Sequence, residues 1–488
     1  KEGVVSLFTP EVVQSSIKQT EQTLRQTLEQ IFPIEGMKKT MRMTGLEVGK
    51  HPALFDFDRQ KELKLKGQTL AVSVFGHFEL VDKNTGKVID KDKVNLMRLP
   101  VLTPRGSFLV DGNEYQAVNQ LRLRSGTYTR KRNNDEYETQ VNTETGWNFR
   151  ILLRPETGYF YIRVGTKNIL LYPFLRGLGV SDQFIAQHIG EELTDINRRD
   201  HGHKVEQELR NFVKAYRLRP ETEDISGYRK VIENEFFKKT RMDANTVQLT
   251  LGKAFDTVNS EMILRSAQKL RMVMRGEAEE DDRDSLEFKK FLTYDDHIAE
   301  RILDARRKIE FKVKANIDKA TKVRQLISPG DFNNPVKSFF TTSSLSGTTE
   351  QTNPLTMLGD YSKVTITGEG GVKSDREITN AMRDINPSTL GFLDPVHTPE
   401  SDKIGALLHL SQQAVKRGDT LATKVYDVRT GGTAEITPRE LVQSVIAFPG
   451  QYDPSTKKFK TQDVKVMANK RVTTVKANQV QYAMMSPR

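Results

Sequence analysis

The 488-residue sequence contains no cysteine. Disulfides, thiolate nucleophiles and Cys-ligated zinc or iron–sulfur centres are therefore excluded, and a reducing compartment is expected. No apolar run approaches the ~18 residues of a membrane-spanning helix, so no membrane partner is expected. The sequence starts at Lys1 without methionine or a short apolar leader, and no secretory signal is expected. Apolar residues make up only 36% of the chain and charged ones 28%, a balance that fits a folded, well-solvated protein.

Positive charge is in excess. A formal net charge of +11 favours an anionic partner, and nucleic acid is the usual one, because neutralised phosphates release counterions. The length exceeds what one hydrophobic core serves, so about two to four domains are expected.

Residues 11–32 place Val13, Ile17, Leu24, Leu28 and Ile31 at helical spacing. From about 60 to 130 the apolar period becomes two. LKLKGQTLAVSVFGHFELV reads as a hairpin broken at Gly67, and Thr103–Gly106 and Asp111–Asn113 read as tight turns of an antiparallel sheet. KRNNDEYE (131–138) reads as an exposed connector to a second module. That module has strands near Phe149–Leu153 and Phe160–Val164, then mostly helix to about Met274. The acidic run 276–284 reads as a solvated loop. Helix resumes over 294–327, with an apolar stripe of Ile298, Ile302, Ile309, Val313 and Ile317, and residues 411–488 return to short strands.

Few residues form a chemical constellation. Gly368–Ser374 superficially resembles a phosphate loop, but Val372 stands between the last glycine and Lys373, so a flexible glycine loop bearing a cation is expected. His201 and His203 have metal-compatible spacing but no third ligand nearby, and read as a solvated loop. In Asp394–Glu400, Pro395 and Pro399 stiffen a polar loop that presents Thr398, Glu400 and Lys403. Ligand contact and structural corner both stay open for it. No Ser/His/Asp set can be assigned, and no complete catalytic apparatus is visible.

Residues 335–410 hold the most distinctive pattern. Phe339-Phe340, Ser343, Leu345-Ser346, Gln351, Asn353-Pro354-Leu355, Gly368, Gly370-Gly371, Arg376, Arg383-Asp384, Pro387, Gly391, Pro395, Thr398-Pro399-Glu400 and Ile404-Gly405 follow one another in this stretch. In residue type and order they resemble the β-subunit family of multisubunit DNA-dependent RNA polymerases. Phe32-Pro33-Ile34, 100–118 and the final strands are also similar to that family, whereas about 190–290 is weakly so. Asp394 departs from a family cysteine, His397 from a glutamate, and Ser401-Asp402 from Gly-Pro.

The resemblance implies a mixed α/β (α+β), multidomain fold. A protrusion-like domain over 1–138 would be rejoined by 295–334, with a lobe-like domain over 139–294. A fork module at 335–410 would line the active-site cleft, and 411–488 would begin a β-rich external or wall region. It further implies that Gln351, Asn353, Lys363, Lys373, Arg376, Thr398, Glu400 and Lys403 lie near nucleic acid or nucleotide. No catalytic or metal-binding residue is expected in this chain; Mg²⁺ would be bound by another subunit, and the chain would be inactive alone.

The implied partners are the C-terminal half of a split β-like subunit, β′-like subunits, template DNA, nascent RNA and a promoter-specificity factor. The sequence stops at Met485-Ser486-Pro487-Arg488, where a full β subunit would continue, and so resembles the N-terminal half of a split β subunit, as in the divergent RNA polymerases of giant bacteriophages. That implies the cytoplasm of an infected bacterial host, with packaging in the virion as a further option. Gly347, Glu350, Asp360 and Thr365 replace residues of the family's rifamycin pocket, so rifampicin resistance is expected. The competing expectation is a non-enzymatic basic DNA-binding or virion protein that reuses a polymerase-like fold.

Overall fold

A computed structural model describes residues 8–350 and 353–485. The polypeptide folds as two units, 123–288 and a discontinuous unit formed by 1–122 with 289–488.

The discontinuous unit begins with helix Pro10–Ile31, which buries Val13, Leu24, Leu28 and Ile31. That helix and the stripe Ile298, Ile302, Ile309, Val313 and Ile317 share one core with an antiparallel sheet of Ile34–Glu35, Lys39–Val48, Ala71–Asp82 and Val88–Pro100. The helical stretch expected over 294–327 is broken at Ala305 into Tyr294–Asp304 and Arg306–Asn316. The two-residue turn Asp111–Gly112 has φ of 47° and 78° and joins strands Phe108–Val110 and Asn113–Ala117, as a tight hairpin requires.

One expectation fails in this unit. Residues 57–65 form a helix rather than the first arm of a hairpin. The Asp56 carboxylate accepts from the Arg59 N–H at 3.1 Å and caps its start, and Gly67, at φ 62°, follows its end. The alternation of Leu63 and Leu65 imitated a strand, but Leu65 is exposed.

Unit 123–288 carries a five-stranded antiparallel sheet in the order 167–170, 159–164, 149–154, 137–142, 126–131. Its apolar face, with Val141, Ile151, Leu153, Phe160 and Ile162, packs on helices including Ser260–Met274. Two sequence expectations change here. Residues 131–138 are not a connector, because strands Gly126–Lys131 and Tyr137–Asn142 pair across this turn. The acidic run is not simply solvated either. Asp281 is nearly buried against the Lys269 ammonium at 2.6 Å and accepts from the Thr129 N–H at 2.8 Å. Burial pushes its carboxyl above the ordinary range despite the lysine.

His201 ends helix Glu191–His201 with its ring edge-on to Tyr159, and only His203 is exposed. Among the described residues no cluster of His, Asp or Glu is placed to hold a metal ion, and no helix is long and apolar enough to cross a membrane.

Candidate nucleic-acid interface

The motif-rich segment is built on a five-stranded sheet ordered Lys289–Leu292, Asn119–Leu123, Lys363–Thr365, Leu407–Leu410, Leu393–Asp394. Lys363–Thr365 lies parallel to Asn119–Leu123 and antiparallel to Leu407–Leu410. Two loops leave this frame: the glycine loop after Thr365 and the proline loop between Asp394 and Leu407.

The glycine loop is held rather than flexible. Fully buried Gln120 donates from Nε2 to the Thr367 carbonyl at 2.9 Å. Arg122 donates to the Glu369 carbonyl at 2.9 Å and to the Gln120 side-chain oxygen at 2.8 Å, while also pairing with Glu300. The Glu369 carboxylate is held by Arg301 and by the Ser343 hydroxyl. A Cβ on Gly370, which has φ of 74°, would lie 2.5 Å from the Arg122 guanidinium, so glycine is required there. Lys373 and Arg376 sit just beyond this clasp. Both are exposed, and neither is tied to a carboxylate among the described residues.

The proline loop is pinned from within. Thr398 Oγ1 donates to the Leu407 carbonyl and accepts from the Gly405 N–H, both at 2.9 Å. Arg383 Nη1 donates to the carbonyls of Asp402 at 2.6 Å and Ile404 at 2.7 Å. Gly405, at φ 71°, lets the backbone approach closely, since a Cβ would meet the Arg383 carbonyl oxygen at 2.5 Å. The Asp394 carboxylate accepts from the N–H groups of Val396 and His397, closing the turn around Pro395. The His397 ring stacks on His409 at 3.6 Å and 7°. His409 donates from Nδ1 to the His397 carbonyl at 3.0 Å, and burial holds its imidazole pKa down. The Thr398 hydroxyl is therefore engaged in holding the corner of this loop. Glu400 and Lys403 are exposed and carry no ion pair among the described residues.

The remaining sequence-named residues divide. Asn353 caps helix Pro354–Ser362 by accepting from the Leu355 N–H at 3.0 Å, and Lys363 is engaged by Asp360. Gln351 lies outside the described residues. Of the four positions for which the resemblance implies an altered rifamycin pocket, Gly347 and Glu350 are exposed, whereas Asp360 and Thr365 are buried. Gln120, Arg122, Arg301 and His409 had no assigned role in the sequence. Their partners lie far along the chain, as with Arg122 and Glu369, so no local pattern could flag them.

Behind the loops the frame is anchored by buried charge. The Lys416 ammonium lies 2.7 Å from Thr293 Oγ1, 2.5 Å from the Asp296 carboxylate and 3.4 Å from that of Asp295. Burial opposes both charges. Lys416 and the hydroxyls of Thr293 and Thr23 nevertheless hold Asp295 below the ordinary range, whereas burial and the adjacent Asp295 charge raise Asp296. His297 stacks on Phe339 at 5.6 Å, with Nε2 3.3 Å from the Val118 carbonyl, and burial lowers its pKa to about 4.

Residues 124–291 match the family model described as RNA polymerase Rpb2, domain 2, and residues 348–415 match RNA polymerase Rpb2, domain 3. These matches support the RNA polymerase β-subunit family. The first nearly coincides with unit 123–288 and runs through 190–290, where the residue-by-residue resemblance is weak. The second contains both loops. A DNA-directed RNA polymerase subunit beta of Prochlorococcus marinus (strain NATL1A) is 26% identical over 460 residues, covering 88% of this chain and 42% of that protein. The subunit beta of Synechococcus sp. (strain WH7803) is 26% identical over 400 residues, 76% of this chain and 36% of that protein. The chain thus spans less than half the length of these relatives.

Proposed function

We propose that this chain is an N-terminal portion of a β-like subunit of a multisubunit DNA-directed RNA polymerase, and that its 335–410 segment forms one wall of the cleft holding DNA and the RNA–DNA hybrid. The observation that carries this reading is the pair of clamped loops in the stretch matched to Rpb2 domain 3. Their backbones are fixed by Arg122, Gln120, Arg383 and Thr398, while Lys373, Arg376 and Lys403 stand outward without acidic partners among the described residues. Rigid loops bearing free cations grip a phosphate backbone independently of base sequence. Glu400 and the exposed face of His397 would border the same surface.

Nucleotidyl transfer would draw on Mg²⁺ held by aspartates outside this chain. Three carboxylates near the loops are otherwise occupied: Asp360 is engaged by Lys363, Asp394 closes a turn and Glu369 is held by Arg301. The chain alone would be inactive. Its complement would be a separate C-terminal β-like polypeptide together with β′-like subunits and a promoter-specificity factor, in an enzyme of bacteriophage type acting in the cytoplasm of an infected bacterium or packaged in the virion. The changed residue types at Gly347, Glu350, Asp360 and Thr365 would leave that enzyme insensitive to rifampicin.

The test is intact-mass analysis of the native complex coupled to a transcription assay. Co-purification with β′-like and complementary β-like chains, and RNA synthesis by the complex but not by this chain, are expected. RNA synthesis by the isolated chain, or a stable particle without polymerase partners, would overturn the reading.

A further inference from the structure

The strand Arg471–Lys476 forms one edge of the seven-stranded sheet built from residues 414–484. It is joined to strand Asp463–Ala468 by the two-residue turn Asn469–Lys470, with φ of 49° and 60°, and the pairing Ala468↔Arg471 to Asp463↔Lys476 runs without a bulge. A turn of this kind makes Ala468 and Arg471 a hydrogen-bonded pair, and every second pair after it likewise. The Ala477 N–H bond to the Gln462 carbonyl at 2.9 Å keeps that alternation. Arg471, Thr473 and Val475 therefore bond inward, and Val472, Thr474 and Lys476 turn their N–H and C=O groups out of the sheet.

Natural edges are usually blunted by a bulge, a proline, charged side chains or a covering segment, and here charge stands only at the two ends, Arg471 and Lys476. This one has an unbroken register and the strong strand formers Val-Thr-Thr-Val. Arg471 to Thr474 are all exposed, Val472 by 69%. On the other face Val464 and Val466 are fully buried, yet Thr473, the cross-strand partner of Val466, is exposed, so the covered face reaches the edge strand only at half-buried Val475. The other outer strands are Gly432–Ile436, which pairs with Thr420–Asp427, and Ala414–Arg417, which is mostly half-buried with its Lys416 sunk into the Asp295–Asp296 site.

We propose that Arg471–Lys476 is a strand-addition site that takes an extended, acid-flanked segment of another polypeptide. Main-chain bonds to Val472 and Thr474 would supply the affinity. Exposed Arg471 at one end, Lys476 at the other and Lys465 on the neighbouring strand select carboxylates. Asp463 neutralises only Lys476, at 2.6 Å.

The probe is a short synthetic peptide of alternating valine and threonine with a glutamate at each end, added to the full chain and followed by residue-resolved hydrogen exchange. At saturation the Val472 and Thr474 amides are expected to exchange about tenfold more slowly or less, as amides do when newly bonded. N-methylation of alternate peptide amides should abolish that protection. Lysine-ended peptide, or the Arg471→Glu variant with an unchanged melting curve, should weaken binding about fivefold or more. No protection at saturation, equal protection by the N-methylated peptide, or protection by a single-stranded oligonucleotide instead would overturn the proposal.

Discussion

Replacing Thr398 by valine separates a corner residue from a ligand contact. The two side chains have nearly the same shape, but valine cannot donate to the Leu407 carbonyl or accept from the Gly405 N–H. Each bond contributes about 1 kcal/mol net, so the loop should be loosened by about 2 kcal/mol, or roughly 30-fold in the equilibrium for local opening. The Arg383 bonds to Asp402 and Ile404 remain, which confines the effect to the segment between Pro395 and Leu407. Hydrogen exchange at Gly405 reads it directly. The unit of roughly 320 residues should lose no more than about 3 °C in melting temperature. Gly405 exchange within about threefold of the unmodified chain would refute the corner assignment.

Other changes test the frame behind the loops. Lys416→Met leaves the Asp295 and Asp296 carboxylates buried without their cation and should cost about 3–5 kcal/mol, measured by denaturant unfolding. A cost below about 1 kcal/mol would show the site to be wetter than described. His297 sits neutral with its pKa lowered to about 4, so its contribution is complete above the unfolded value near ~6.5 and is lost as pH falls toward 4. Stability should drop by about 3 kcal/mol across that window, and His297→Phe should flatten this part of the profile. Gly370→Ala should drive a methyl into the Arg122 guanidinium and unseat the glycine loop, seen as faster exchange at Gly371 and Val372. Reversing Lys373, Arg376 and Lys403 together to glutamate should leave folding intact while weakening DNA binding by the complex and flattening its salt dependence.

Much of this architecture was legible in the chain. The helix at 10–31 and the stripe from Ile298 to Ile317 follow from 3.6-residue periodicity, and the Asp111–Gly112 turn from residues that tolerate positive φ. Errors arose where local pattern was ambiguous. Leu63 and Leu65 alternate like a strand but lie in a capped helix, and the polar run 131–138 closes a hairpin instead of linking modules. Pairing across long separations left no local trace, as with Asp281 on Lys269, Lys416 on Asp296 and Arg122 on Glu300. Within the site, the loops were visible as compositionally odd segments. What fixes them was not: the two bonds of the Thr398 hydroxyl to Leu407 and Gly405 leave no local trace.

The most direct measurement places a photoreactive 4-thiouridine at the RNA 3′ end in an elongation complex purified with this chain in place. Cross-links mapped by mass spectrometry are expected within residues 394–405, with weaker yield near Lys373 and Arg376. Active complexes whose RNA 3′ end cross-links to this chain only outside the 335–410 segment, or not at all, would contradict the assignment of that segment as a wall of the cleft.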